Sequence, residues 1–330
     1  MWHDELELTT VAIDSGFDSV WATEHHFTDF EMSPSPLQFL SWVCGRAPGI
    51  DVGTMVLVLP WHDPLRIIEE VVVLDHLADG RFTLGIGRGF SAAEYEGLRI
   101  PMNEASERFD EIAEIVLAAL ETGRIEQRPR TYYDLPARDV RPAPLRSLRG
   151  RLYGAPSVAS TELMARLGSG LLLTPRKSLE ENAAELSRHA AAWAKVRPDT
   201  PPPPPILNQF VYVHEDSDHA RTSAHEYLAA FSRENDRHHA RAGSHASAAG
   251  SAIELTEFIA RTAWGTPEQV VDKLAPAVSR LRPSTILAHA FFGGMTRDAA
   301  EQSLRLFAEQ VIPALAGGRQ VVDAQQGLDA

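Results

Sequence analysis

Glu24-His25-His26-Phe27 places a carboxylate, two imidazoles and an aromatic ring in four consecutive positions. An imidazole titrates near neutrality, so it can give or take a proton during a reaction, and a neighbouring aromatic can keep water from a reactive intermediate. The run follows Gly16, a helix stop, and a short apolar stretch through Phe17, Val20 and Trp21 with the character of a buried strand. Glu24, His25 and His26 are therefore expected at a strand's C-terminal end, the catalytic face of a parallel β/α barrel. A surface loop that happens to carry two histidines is the competing reading.

Three further patches fall at strand ends. In Gly53-Thr54-Met55-Val56 a strand loses a side chain to glycine, a mark of close backbone approach or of a ligand. In Gly85-Ile86-Gly87-Arg88-Gly89, glycines open space and Arg88 can offer a planar fork to phosphate. The glycine spacing of a dinucleotide fingerprint is missing there. Ser157-Val158-Ala159-Ser160-Thr161 opens a helix with hydroxyls and free N–H groups, which suits an anion, ordinary N-capping being the alternative. The stretch around His238, His239 and His245 reads as a mobile loop without an acidic partner at ligand spacing, so no metal is expected.

The elements that position these patches alternate. Strands are expected near Ser19, Val52, Thr83, Leu152, Leu171, Phe210 and Ile286, and Ile50 to Leu59 reads as one continuous buried strand. Helices are expected over 2–13, 36–47, 64–77, 103–120, 178–195, 216–233, 267–281 and 296–315, with Thr266 capping one that opens on Pro267. Strand–helix alternation is the signature of a parallel sheet. One α/β domain over 1–315 is expected, with an irregular excursion or hairpin at 123–148, a mobile loop near 234–264 and a loose tail over 316–330. A two-domain α/β protein is the weaker alternative.

The 330 residues carry a formal net charge of −14, which leaves no basic face for nucleic acid or an anionic membrane. Cys44 has no partner for an intrachain disulfide, no apolar run approaches a membrane span, and the acidic N-terminus is unlike a secretory signal. A cytoplasmic location is the expectation.

GFDSVWATEHHF, VGTMVLVLPWHDPLRIIEEVVVLDHLADGRFTLGIGRG, the Ser157 to Gly168 region, WGTPEQVVDKL and SLRLFAEQVIPAL, in that order, closely resemble the bacterial luciferase-like flavin-dependent monooxygenase family. The resemblance implies a TIM-type (β/α)8 barrel that binds reduced flavin mononucleotide, FMN, at its C-terminal face. It places His25 at the family's catalytically important histidine, with His26 and Phe27 beside it in the pocket. Met55 and Val56 fall where the luciferases have a cis peptide beneath the isoalloxazine ring. Arg88 matches the flavin-phosphate arginine, and Ser157 and Ser160 match the phosphate hydroxyls. The implied reaction is attack of O2 on reduced flavin to form a C4a-peroxyflavin, which passes one oxygen atom to an organic substrate such as an aldehyde. The implied partners are a separate flavin reductase and a second copy of the chain, packed through the helices around 38–46 and 66–77.

One strand is short of the family pattern, because the sequence starts about one turn into the first helix of the family. A barrel apparently lacking its first strand is therefore expected. The strands near Ser19 and Ile286 would then have unpaired edges, so poor stability or dimerisation across the gap is the expectation. Two other functions stay open: a deazaflavin-dependent oxidoreductase, and a non-catalytic flavin-binding partner subunit.

Overall fold

The computed structural model describes residues 2–155, 160–239 and 254–316. Seven strands follow one another around a curled parallel sheet: β1 (Ser19–Ala22), β2 (Asp51–Thr54), β3 (Phe82–Gly87), β4 (Leu152–Gly154), β5 (Gly170–Leu173), β6 (Ile206–Val213) and β7 (Thr285–His289). Each pairs in parallel with the next, with Val20 opposite Val52, Gly53 opposite Thr83, Ile86 opposite Gly154, Gly154 opposite Leu171, Leu173 opposite Leu207 and His289 opposite Phe210. This sequential order is that of a (β/α) barrel, with the helices outside. Among the described residues the ring does not close: no pairing joins β7 to β1.

Helices α1 (Trp2–Asp14), α2 (Pro36–Arg46), α3 (Pro64–Leu77), α4 (Ala92–Gly97) and α5 (Ala105–Thr122) serve the first half of the sheet. Their ends are set locally. Asp63 accepts hydrogen bonds from the N–H groups of Leu65 and Arg66, with Pro64 in the first turn of α3, and Gly123 ends α5 in the left-handed conformation. Leu40, Val43, Ile67, Ile68, Val71, Ile112 and Val116 pack against Val52, Phe82, Leu84 and Ile86 in the largest core cluster. Cys44, in α2, is a buried free thiol.

The second half adds α6 (Thr161–Leu167), α7 (Leu179–Val196), α8 (Ser217–His239), α9 (Leu255–Ala260), α10 (Pro267–Leu281) and α11 (Arg297–Leu306). Ser178 with Glu181, and Thr266 with Gln269, form reciprocal capping boxes at the starts of α7 and α10. Leu8 of α1 shares a core cluster with Ala300 and Leu304 of α11, so these two helices meet over the opening between β1 and β7. Among the described residues no helix is long and apolar enough to cross a membrane.

Three expectations need correction. Ile50 to Leu59 is not one strand. β2 ends at Thr54, the Met55–Val56 peptide bond is cis, and Leu57–Val58 pairs separately with Ile86 and Gly87 of β3. α8 does not stop at Arg233 but continues to His239, so His238 and His239 stand on a helix rather than in a loop. Residues 254–264, also assigned to that loop, instead contain α9 and a short strand, Ala263–Gly265, paired with β6. The rest of the expected loop, 240–253 with His245, lies outside the described residues, as does the tail from 317. The 123–148 excursion contains a small antiparallel pair, Arg124–Ile125 with Arg138–Asp139.

β2 and β3 are locked by one buried hydroxyl, since Thr54 Oγ1 donates to the Gly85 carbonyl (2.8 Å) and accepts from its N–H (2.9 Å). A Cβ on Gly85 would lie 1.9 Å from the Thr54 carbonyl oxygen, and backbone cannot yield as a side-chain tip can. Gly85→Ala is expected to cost about 1–3 kcal/mol through overpacking, read as a lower urea midpoint. An unchanged midpoint would show that the two strands can part at this point.

Candidate active site

Glu24 leaves the C-terminal end of β1 and is 2% exposed. Its Oε2 accepts a hydrogen bond from the Val58 N–H (2.7 Å), while Oε1 lies 2.8 Å from His62 Nε2 and 3.4 Å from His26 Nε2. Burial alone would raise its pKa, but the hydrogen bonds from His26, His62 and Val58 outweigh burial and lower it. His62 shows the reciprocal effect: burial opposes its charge, yet the Glu24 carboxylate raises its pKa. Glu24 thus fastens β1 to the Leu57–Val58 segment with both its oxygens engaged.

His25 and His26 meet a residue that no local pattern joined to them. Glu94, in the first turn of α4, is 1% exposed. Its Oε1 accepts from the His26 backbone N–H (2.8 Å), lies 3.2 Å from His25 Nδ1 and 3.3 Å from His238 Nε2. Burial pushes the Glu94 pKa up, but contacts with His238 and His25 more than reverse this and bring it from 4.5 to about 2. For His25, burial opposes the charged form, while the hydrogen bond to Glu94 and the charges of Glu31, Glu94 and Glu24 prevail and raise its pKa. Its second nitrogen, Nε2, stands 3.5 Å from Glu31 Oε2, and Glu31 Oε1 lies 3.5 Å from His289 Nδ1.

His238 anchors the site from behind. It is 1% exposed, its Nδ1 lies 2.6 Å from the Thr28 hydroxyl, and its ring stacks on Phe30 with centroids 4.9 Å apart. The Ser91 hydroxyl, which accepts the Glu94 N–H at the start of α4, donates to the His238 carbonyl. His239 packs on Phe90 with centroids 4.2 Å apart, and burial depresses its pKa from 6.5 to about 3.

A cavity of about 920 Å³ reaches this cluster. Its walls include Ser19 to Thr23 of the β1 segment, Thr285 to Ala290 along β7, Met55, Tyr153 and Glu31. It therefore occupies the opening between the two strand edges left unpaired among the described residues, and it meets the cluster through Glu31 and His289, while His25 and His26 do not line it. Met55 borders the cavity, and Val56 fills the space a Cβ on Gly87 would need. Phe27 is 63% exposed in the left-handed conformation (φ 69°), its ring against Gly97 and 5.6 Å from His26. It is exposed and does not line this cavity.

Arg88 is exposed on the turn after β3, donates to the Ser106 hydroxyl (2.8 Å) and makes no salt bridge among the described residues. Ser160 immediately precedes α6 on the segment that follows β4, the neighbour of β3, so these two residues rise from adjacent strands. Ser157 lies outside the described residues. The structure thus joins Glu24, His25 and His26 in one cluster and sets Arg88 and Ser160 on neighbouring strand ends. Sequence reasoning missed Glu94, Glu31 and His238. The Ser91-x-x-Glu94 spacing of a helix start was available as a signal for the first, and His238 had been set aside for want of the acid that Glu94 supplies.

A parallel barrel with an acid–histidine cluster at its C-terminal face is the frame of an enzyme rather than of a scaffold. The chain belongs to the luciferase-like monooxygenase family, which matches residues 1–282. It is 26% identical over 213 residues to the alkanal monooxygenase alpha chain of Aliivibrio fischeri, covering 64% of this chain and 60% of that one. To the oxygenase component of the flavin-dependent trigonelline monooxygenase of Acinetobacter baylyi it is 24% identical, covering 68% of this chain and 63% of that one. The chain therefore spans less than two thirds of the length of either relative. Monooxygenase RslO1 from Streptomyces bottropensis shares the fold with a TM-score of 0.78 at 23% identity, over 94% of this chain and 93% of that one. F420-dependent enzymes share it too, one with a TM-score of 0.75 at 14% identity, over 95% of this chain and 94% of that one.

The linked carboxylate and imidazole set the pH range of the site. Glu94, held at about 2 against an ordinary 4.5, contributes stability that is complete above about pH 4.5 and is lost as pH falls towards 2. His25, raised above 6.5, contributes stability that is complete below 6.5 and is lost as pH rises through its folded value. Near pH 5.5 both contributions are present. Glu94→Gln is expected to cost about 1–3 kcal/mol in urea unfolding at that pH and to move the His25 titration, followed by NMR, downwards. An unmoved His25 titration would show that Glu94 does not govern its protonation.

Proposed function

We propose that this protein is the oxygenase component of a two-component flavin monooxygenase. It takes reduced FMN from a separate reductase, uses O2, and places one oxygen atom in a small organic substrate such as an aldehyde. The observation that carries this reading is His25, held between Glu94 and Glu31, the second of which lines a cavity that Met55 also borders. Met55, Val56, Arg88, Ser157 and Ser160 are the residues that would hold FMN, and the exposed Arg88, with no salt bridge among the described residues, is suited to a phosphate. Reduced FMN supplies the electrons and the activation of O2.

The chain's own residues have distinct parts in this proposal. His25, flanked by two carboxylates that favour its charged form, is the general acid of this proposal, with Nε2 facing Glu31. His26 stays beside it through its N–H on Glu94, and Glu24 is a positioning residue that holds the floor formed by Leu57–Val58. The aromatic wall of Phe30, Phe210 and Phe231 keeps water from the far side of the cluster. Phe27 guards the substrate entrance, and two copies associate through α2 and α3, where Trp42, Val73 and Leu77 are exposed.

Turnover of aldehydes with photoreduced FMN in air tests the reaction, and a parallel titration with F420 tests the cofactor. His25→Ala should keep FMN affinity within a few-fold and lower turnover about 10²–10⁴-fold. Arg88→Ala should weaken FMN binding while leaving riboflavin, which lacks the phosphate, unaffected. Tight F420 binding without FMN binding would replace this reading with a deazaflavin oxidoreductase. Flavin binding with no oxygenation of any substrate would leave a partner subunit.

A further inference from the structure

The geometry points to a site for a divalent transition-metal ion, of the zinc class, formed by His25 Nδ1, His238 Nε2 and Glu94 Oε1. These donor atoms lie within 4.8 Å of one another, with Glu94 Oε1 3.2 Å from the first and 3.3 Å from the second. Two donors each about 2.0–2.1 Å from a tetrahedral ion stand about 3.4 Å apart, so the two Glu94 edges match an ion, and the two imidazoles, within 4.8 Å of each other, would draw together around it. His238 Nε2 is buried and has no properly aligned hydrogen-bond partner despite its closeness to the carboxylate. A cation between this nitrogen and the carboxylate would meet both.

The surroundings are those of a built site. A metal-bound imidazole is held through its other nitrogen by a carboxylate or another acceptor. Here His25 Nε2 faces the Glu31 carboxylate at 3.5 Å, and His238 Nδ1 faces the Thr28 hydroxyl at 2.6 Å. Thr28 Oγ1 also accepts the Phe30 N–H, at 3.4 Å, which fixes the loop that presents it. Two nitrogens and one carboxylate oxygen suit zinc, cobalt, nickel or ferrous iron and not calcium or magnesium. Three protein donors leave a position for water, and Glu31, on the cavity wall, marks the way in. An ion bound there occupies His25 Nδ1 and displaces its proton, so it would inhibit any reaction in which His25 is a general acid.

Cobalt titration of the full chain, freed of metal with a chelator, tests this site without flavin. The expected result is visible ligand-field absorption that saturates at one equivalent of Co²⁺ and is abolished by Zn²⁺. His238→Ala and Glu94→Gln should each weaken that affinity by at least about tenfold, with folding checked by circular dichroism. Thr28→Val, which keeps all three donor atoms, should weaken it about 10–100-fold. Absence of the bands in the wild-type chain, or bands unchanged in Thr28→Val and in folded His238→Ala, would overturn the site. FMN binding is titrated separately on the metal-free chain, so failure of the metal site and failure of the flavin reading are told apart.

Discussion

A single buried carboxylate, Glu94, holds the candidate active site together. Removing an anion from water is costly unless it is met by hydrogen bonds and charge, and Glu94 Oε1 meets the His26 N–H, His25 and His238. These partners come from the segment after β1 and from the end of α8, while Glu94 itself sits on α4. Three stretches far apart in the chain are therefore fixed by one oxygen atom. Glu24 repeats the device on the other side, tying β1 to Leu57–Val58 and His62. The imidazoles of the cluster are consequently set between two internal anions, and their orientation follows from satisfying those anions.

The sheet gives this arrangement its place. Seven parallel strands in sequential order bring every strand's C-terminal end to one rim, so segments after β1, β3 and β6 converge although they are distant in sequence. The opening between β7 and β1 turns the barrel interior into a cavity that extends out to α1 and α11. Strand edges there bring backbone polar groups to a largely apolar lining, and Asn208, Thr285 and Ser284 add side-chain polarity. Such a space differs from the filled interior of a closed barrel, where side chains pack in layers.

Much of this frame was legible in the sequence because it is written in local patterns. Pro267 to Leu281 has the expected bounds through its Thr266-Pro267 start, and Ile206 to Val213 is an apolar strand around Phe210. The seven strands near Ser19, Val52, Thr83, Leu152, Leu171, Phe210 and Ile286 are all present and parallel. Long-range pairing was not legible. Glu94 is 69 residues from His25, and its helix is too short for an apolar period to reveal it. The end of α8 was misread because Arg237, His238 and His239 are polar, whereas His238 is buried against Phe30. A histidine can lie in a core when its nitrogens are met, and the groups that meet these came from elsewhere in the chain. The break at Met55–Val56 was hidden by the same logic, since an unbroken apolar run carries no mark of where a strand leaves its ladder.

His25 shows how one arrangement constrains its own chemistry. A carboxylate at each ring nitrogen favours the imidazolium, which disposes the ring to give a proton rather than to take one. The two carboxylates differ in setting. Glu94 is sealed in protein and stays ionised through its contacts, while Glu31 borders the cavity and can exchange with whatever occupies it. A proton released from Nε2 therefore passes first to Glu31 on the cavity wall. The surplus of negative charge that holds the proton would hold a dication equally well at Nδ1, with His238 completing the coordination. Proton and metal then compete for one nitrogen, and which of them the site carries is set by pH and by the free metal concentration around it.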